Sequence, residues 1–392
     1  MAERNTVRNV LFLAPEWGTI TKVGGLADVV ASLSQALINN GIEVRTVLLG
    51  YRHIINMQSR KKHFYPRLPF FLLEECEHPD YSQHIFYVIR HPGLDAIHEP
   101  YSPSYSDNDS SADLLQAILL ALAPFAIAEN TGISWQPQVV HCHDWLCGLY
   151  PYFSNLFSGR DSLQFRKIPS LFTIHNAEYA GLFNRGIIAE FPKLLQQWGI
   201  SFSNFPAKRP IIGDWELDGK INLLATGLRY AEKINTVSPT HAVELLEANT
   251  PISRILQQRK EDFSGILNGV DNKSWAPESD PFLQEHTYTS QKREVKNAKH
   301  YWKKYLAKQL QFSLNMKAPL FISICRIVKQ KGLEQLFELE GGKRGPLLEA
   351  LEQNRCQLII LGEGEQQLEL QLQMLSWKYS RNFIFLNYFH EG

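Results

Sequence analysis

The sequence has 392 residues, 44% of them hydrophobic, with 40 Lys and Arg against 40 Asp and Glu and a formal net charge of +0. Such a length and composition predict two or three domains with sizeable cores, and the balanced charge excludes a chain built around a strong field for nucleic acid or an anionic membrane. The five cysteines (Cys76, Cys142, Cys147, Cys325, Cys356) are few, odd in number and without metal-site spacing, which argues for a reducing compartment.

The first residues, Met1-Ala2-Glu3-Arg4-Asn5, run almost directly into the apolar stretch Asn9–Ala14. That stretch predicts a buried strand and leaves no room for a signal or transit peptide. No run of about 18 apolar residues is read, so no bilayer-spanning segment is expected, and the expected location is cytoplasmic. After the strand comes Lys22-Val23-Gly24-Gly25-Leu26-Ala27-Asp28-Val29-Val30. Leu26, Val29, Val30, Leu33 and Leu37 form one apolar face, which predicts a helix. Lys22, Gly24 and Gly25 therefore occupy a strand-to-helix turn. Adjacent glycines let backbone N–H groups approach a ligand, and a helix start favours an anion. The turn reads as a phosphate- or sugar-binding loop, or else as a plain connection with Lys22 solvated.

Glu43–Leu49 predicts a second strand. Residues 51–112 read as less regular, with a strand at His84–Ile89 and a Pro/Ser/Tyr/Asp-rich loop from Pro92 to Ser111. Asp113–Glu129 is an apolar core helix. Gln138–His143, Pro169–Ile174, Lys233–Val237 and Phe263–Leu267 predict further strands, with a helix at His241–Glu247. Strands alternating with helices predict a parallel, doubly wound α/β sheet, whose ligands bind beyond the carboxyl ends of the strands. Asp271–Pro281 reads as a linker and Gln291–Phe312 as a basic helix, either a solvated connector or a polyanion site. A second α/β unit follows, with strands at Pro319–Cys325, Cys356–Leu361 and Asn382–Leu386. The predicted organisation is a first domain over 1–275, a linker and connecting helix over 276–316, and an incomplete second domain over 317–392.

Chemistry-bearing residues cluster at these strand ends. In His141-Cys142-His143-Asp144-Trp145 the two histidines share a strand face. No third and fourth ligand at usable spacing follows, so they read as packing and hydrogen-bonding groups rather than a zinc site. Asp144 and Trp145 lie just past the strand, where a carboxylate meets sugar hydroxyls and an indole stacks on a pyranose. Thr173-Ile174-His175-Asn176 delivers His175 and Asn176 at the next strand end. Thr236-Val237-Ser238-Pro239-Thr240-His241 suits helix capping as well as binding. Leu267-Asn268-Gly269-Val270-Asp271 precedes Trp275 and Pro277. In the second unit, Arg326 ends a strand and Lys331 follows near a turn. A guanidinium fork and an ammonium point charge can clamp a diphosphate; a basic surface loop is the alternative. Gly362 and Gly364, after the next strand, would let backbone donors approach a nucleotide.

Six motifs in one order, from residue 16 to residue 364, resemble the bacterial glycogen synthase and plant starch synthase family. They are Lys-x-Gly-Gly-Leu at Lys22, His-x-His-Asp-Trp at His141, Thr-Ile-His-Asn at Thr173, Thr-Val-Ser-Pro at Thr236, Asn-Gly-Val-Asp at Asn268 and Arg-Ile-x-x-Gln-Lys-Gly at Arg326. The resemblance implies a GT-B glycosyltransferase of two Rossmann-like domains, with the donor in the cleft between them. It implies transfer of glucose from ADP-glucose to the non-reducing end of an α-1,4-glucan with retention, the activity of an ADP-glucose:1,4-α-D-glucan 4-α-D-glucosyltransferase. His175, Asp144, Arg326 and Lys331 would be the catalytic group. Lys22, Gly24, Gly25, Trp145, Asn176, Asn268, Gly362 and Gly364 would bind substrate, with no metal and no other cofactor. Partners would be ADP-glucose and the glucan, not nucleic acid or membrane.

The match also departs from the family. The family's second domain continues further, and its Glu-Pro-Cys-Gly-Leu-type motif has no counterpart, so truncation is expected. Ala225-Thr226-Gly227 stands where Lys-Ala-Gly is frequent, and His241 where Tyr is usual. Gly93–His98 lacks the family's Leu-Tyr pair. A non-catalytic glucan- or nucleotide-binding remnant, or a related GT-B transferase using UDP-glucose, remain alternatives.

Overall fold

The computed structural model describes residues 7–388, apart from 53, 55–56, 66–69, 82, 99, 102–110, 158–166, 185–186, 188–192, 194, 198–215, 218, 312–313, 340–342 and 354. The chain divides into two units, Met1–Val270 and Asp271–Gly392.

In the first unit the strands are β1 (Asn9–Leu13), β2 (Glu43–Leu49), β3 (Gln58–Phe64), β4 (Leu72–Glu77), β5 (Ile85–Arg90), β6 (Val139–His143), β7 (Ser170–Ile174), β8 (Leu182–Phe183), β9 (Glu216–Leu217), β10 (Lys220–Asn222), β11 (Lys233–Thr236) and β12 (Phe263–Gly265). The main sheet has the order β12-β11-β7-β6-β1-β2-β5-β4-β3. It is parallel from β12 to β5 and antiparallel where β4 and β3 are added. β8, β10 and β9 form a small separate sheet.

β1 shows why the centre of the sheet was legible. Leu11 and Leu13 pack into one core, Val10 and Phe12 into the other. A strand covered on both faces is apolar throughout. Helix α1 (Gly25–Asn39) covers one face through Leu26 and Val30. Helix α2 (Ser111–Glu129) lies in the other core. By length and composition α2 could cross a membrane, but 78% of its apolar window is buried inside the unit.

The predicted irregularity of residues 51–112 is corrected. β3 and β4 form a regular antiparallel pair at the sheet edge, with Lys62 directly opposite Glu74. Lys62 pairs with Glu74 at 3.2 Å, His63 with Glu75 at 3.4 Å, and Arg60 with Glu77. Arg90 of β5 reaches Glu74 at 2.8 Å. Opposite charges face each other across this pair while Leu73 and Cys76 of β4 are buried in the cores, and a lysine-rich edge resists pairing with other chains. Of the predicted Pro92–Ser111 loop, residues 99 and 102–110 lie outside the described residues; Pro92–Leu94 is a 3₁₀ turn and Ser111 opens α2.

The second unit holds β13 (Leu320–Ile324), β14 (Glu338–Leu339), β15 (Lys343–Arg344), β16 (Gln357–Leu361) and β17 (Phe383–Leu386). β13, β16 and β17 form a parallel sheet in that order, and β14 pairs with β15. Ile327, Leu358, Ile360, Phe383 and Phe385 contribute to its core. β13 is an edge, where Phe321, Ile322 and Ile324 are 53%, 51% and 67% exposed. The basic helix runs Lys292–Gln309, and the predicted linker contains a short helix, Asn272–Trp275.

Candidate functional site

At the end of β1 the chain turns back into α1. Gly24 stands just before the helix with φ −157°, an extended conformation open to any residue. A Cβ built at Gly24 or Gly25 would meet no described atom within 4 Å. Neither backbone strain nor packing therefore demands glycine here, and the face above the turn is open. Lys22 pairs with Asp28 at 3.0 Å. The amides are less free than the sequence predicts. Glu16, 2% exposed, accepts the N–H of Val23 at 2.7 Å and of Gly24 at 2.8 Å on one oxygen. Sequence reasoning missed Glu16; its only signal is a carboxylate three residues past the end of a buried strand.

β6 and β7 carry the histidines. His143 Nδ1 lies 3.0 Å from His175 Nε2. His141 Nε2 lies 2.7 Å from the Thr173 hydroxyl, which donates to Asn235 at 2.6 Å. Burial pushes His141 down to about 3 and His175 to about 4, and holds His143 well below the ordinary range. These imidazoles are neutral at physiological pH, and a single proton bridges His143 and His175. Among the described residues His143 Nε2 is buried with no hydrogen-bond partner.

Asp144 follows with φ +63° and ψ −179°. For a residue with a Cβ this conformation is sparsely populated and costs on the order of 1–3 kcal/mol. It turns the side chain inward. One carboxylate oxygen accepts the N–H of His175 at 2.9 Å and of Asn176 at 3.3 Å. Asp144 also donates its own N–H to the Thr173 carbonyl at 3.0 Å. Asp144 clamps the loop that carries His175 and Asn176 through this one oxygen.

Burial raises the Asp144 carboxyl to about 7, against the lowering effect of the two N–H donors. Between its ordinary 3.8 and about 7 the folded protein holds a proton that the unfolded chain has released. Stability therefore falls as pH rises through that window, and the penalty is complete above it. Asp144→Asn keeps the accepting oxygen and removes the charge. We expect it to match the wild type near pH 4 and to exceed it in thermal stability at pH 8. Melting curves across that range check this; parallel curves for the two proteins would refute it.

Trp145 departs from expectation. It is 6% exposed and belongs to the core. A Cβ at Gly181 would come within 2.3 Å of its ring, and Tyr101 packs beside it with ring centroids 5.9 Å apart. Its faces are covered by the protein, which leaves no stacking platform for a pyranose. Thr236 donates to the Ile174 carbonyl at 3.0 Å and lies 2.7 Å from His241 Nδ1, while Ser238 caps the helix Pro239–Glu247. That motif serves the architecture. Asn268 is exposed, beyond β12.

In the second unit Arg326 is half-buried and Lys331 exposed. Both lie past the carboxyl end of β13, Lys331 in the 3₁₀ turn Lys329–Lys331 that ends at Gly332 with φ +61°. The reading of Gly362 and Gly364 is corrected. A Cβ at Gly362 would sit 1.9 Å from the Cys325 carbonyl oxygen, and one at Gly364 2.1 Å from that of Ile327. These glycines let the Arg326 segment dock on the end of β16. The Gly364 N–H already donates to Glu369 at 2.6 Å. Among the described residues no group of three or more His, Cys, Asp or Glu is arranged to hold a metal ion.

Comparison with known proteins agrees with this architecture. The starch synthase catalytic domain family matches residues 9–258. A glycogen synthase of Francisella tularensis is 31% identical over 385 residues, covering 95% of this chain and 72% of the relative. The glycogen synthase of Photobacterium profundum is 30% identical over 387 residues, covering 96% and 70%. In fold, the chain is similar to the catalytic domain of starch synthase IV from Arabidopsis thaliana bound to ADP and acarbose, with a TM-score of 0.72, 22% identity, and 98% and 75% of the two chains covered. The α/β architecture is that of a GT-B glycosyltransferase, and the chain belongs to the glycogen and starch synthase family, sharing its starch synthase catalytic domain.

Proposed function

We propose that this chain transfers glucose from ADP-glucose to the non-reducing end of an α-1,4-glucan with retention of configuration. The observation that carries the reading is the open face over Gly24 and Gly25 beside Lys22, glycines that neither conformation nor packing requires. Family membership supports the reaction class, and the structural relative bound to ADP and acarbose supports the donor and acceptor classes.

The chemistry asks for stabilisation of a leaving diphosphate and of an oxocarbenium-like sugar. Arg326 and Lys331 take the diphosphate charge, with no metal assigned. His175 contacts the transferred glucose. Its depressed pKa, about 4, matters there: a neutral imidazole does not repel the positive charge developing at the anomeric carbon. His143 fixes its ring and Asp144 fixes its backbone. The leaving phosphate accepts the proton of the attacking hydroxyl on the same face. We place the protein in the cytoplasm, where its five free cysteines stay reduced.

Incorporation of labelled glucose into glycogen tests the proposal. Turnover with ADP-glucose, and at least tenfold lower kcat/KM with UDP-glucose, is the expected result. Preference for UDP-glucose would transfer the reading to a related GT-B enzyme. Glucan or ADP binding without turnover would make the chain a binding module.

A further inference from the structure

Two buried carboxylates at the strand ends of the first unit do the same thing. Asp144 gathers two consecutive backbone N–H groups, His175 and Asn176, on one oxygen. Glu16 gathers Val23 and Gly24 on one oxygen, at 2.7 and 2.8 Å. Tyr101 also hydrogen-bonds Glu16. A carboxylate 2% exposed is costly unless donors surround it; here the donors come from a turn with an open outer face. The turn is therefore filled from behind by the Glu16 carboxyl group, and its Gly24 amide is not left for a ligand phosphate.

We propose that Glu16 is a positioning residue for the sugar-nucleotide donor: it sets the Lys22–Gly25 turn, so that the turn meets the donor through the Lys22 ammonium and the bare glycine face rather than through a cradle of amides. The proposal rests on the reading of the chain as an ADP-glucose-dependent transferase. It assigns Glu16 no contact with substrate. Its consequence is a donor-specific defect when the clamp is loosened.

The experiment compares Glu16→Gln, Glu16→Asp and Glu16→Ala in the full chain. Gln keeps an accepting oxygen at the same reach, Asp keeps the charge but is shorter by one methylene, and Ala keeps neither. Expected are a donor KM within about threefold of wild type for Gln, and one raised about tenfold or more for Asp and Ala. The glucan KM should be unchanged throughout. ADP affinity measured by calorimetry should follow the same order, which gives a readout independent of turnover. If Ala fails to fold, the contrast between Gln and Asp decides. Hydrogen exchange of the peptide spanning residues 19–26 should be slow in wild type and Gln, and faster in Asp.

Equal donor KM across the folded variants, or a uniform loss in both KM values that tracks melting temperature, would overturn the proposal and leave Glu16 a stability residue. A wild-type chain that neither binds ADP nor uses ADP-glucose would instead overturn the functional reading on which it rests.

Discussion

Replacing Arg326 with alanine is expected to lower glucose transfer from ADP-glucose by about 100- to 1,000-fold, the loss of about 3–4 kcal/mol that removal of one preorganised charge donor causes. In the proposed reaction negative charge builds on the diphosphate as the glycosidic bond breaks, and a fixed guanidinium gains more from that charge than from the intact donor. Arg326 is half-buried at a strand end and held by the docking of its segment on Glu363 and Glu365: the Ile327 N–H donates to the Glu363 carbonyl at 2.9 Å, and the Glu365 N–H to the Ile327 carbonyl at 2.7 Å. Lys331 is exposed, so water and salt screen it more strongly, and Lys331→Ala should cost less. Arg326→Lys should recover little, because an ammonium lacks the two-pronged fit to phosphate. Initial rates of labelled glucose incorporation across donor concentrations measure this. Wild-type rates in Arg326→Ala would remove Arg326 from the reaction.

The second large effect concerns stability. Gly362→Ala is expected to unfold the second unit at temperatures where wild type is intact, at a cost of about 3 kcal/mol or more. The added Cβ would lie 1.9 Å from the Cys325 carbonyl oxygen, at a φ of +154°. A backbone oxygen cannot swing aside as a side-chain end can. Relief requires the ends of β13 and β16 to part, which breaks the bond from the Cys325 N–H to the Leu361 carbonyl at 3.1 Å. The first unit has its own cores, so proteolysis should remove the second unit first. Gly24→Ala is the matched control. It has open space and an extended φ, and should melt within about 1 kcal/mol of wild type. Equal melting of Gly362→Ala and wild type would refute the packing argument.

The sequence alone determined the parallel strands at the middle of each sheet and the loops that leave their carboxyl ends. β1, β2, β6, β7 and β16 are largely buried, and strands covered on both faces read as mostly apolar runs rather than as an alternation. It also carried the motifs of the family, because a site at strand ends repeats the same residue types at the same local spacing. What only the tertiary structure decided depends on partners distant along the chain. β3 and β4 lack a simple apolar alternation, and their pairing rests on cross-strand partners such as Lys62 and Glu74 and on the burial of Leu73 and Cys76. Trp145 reads as exposed until Gly181 and Tyr101 close over it. Gly362 and Gly364 read as ligand-facing until Cys325 and Ile327 are brought against them. Asp144 and Glu16 read as lone carboxylates until folding brings backbone N–H groups to each. Local pattern records which face a residue needs buried, whereas the use of a carboxylate or a glycine depends on which donor or backbone the fold brings to it.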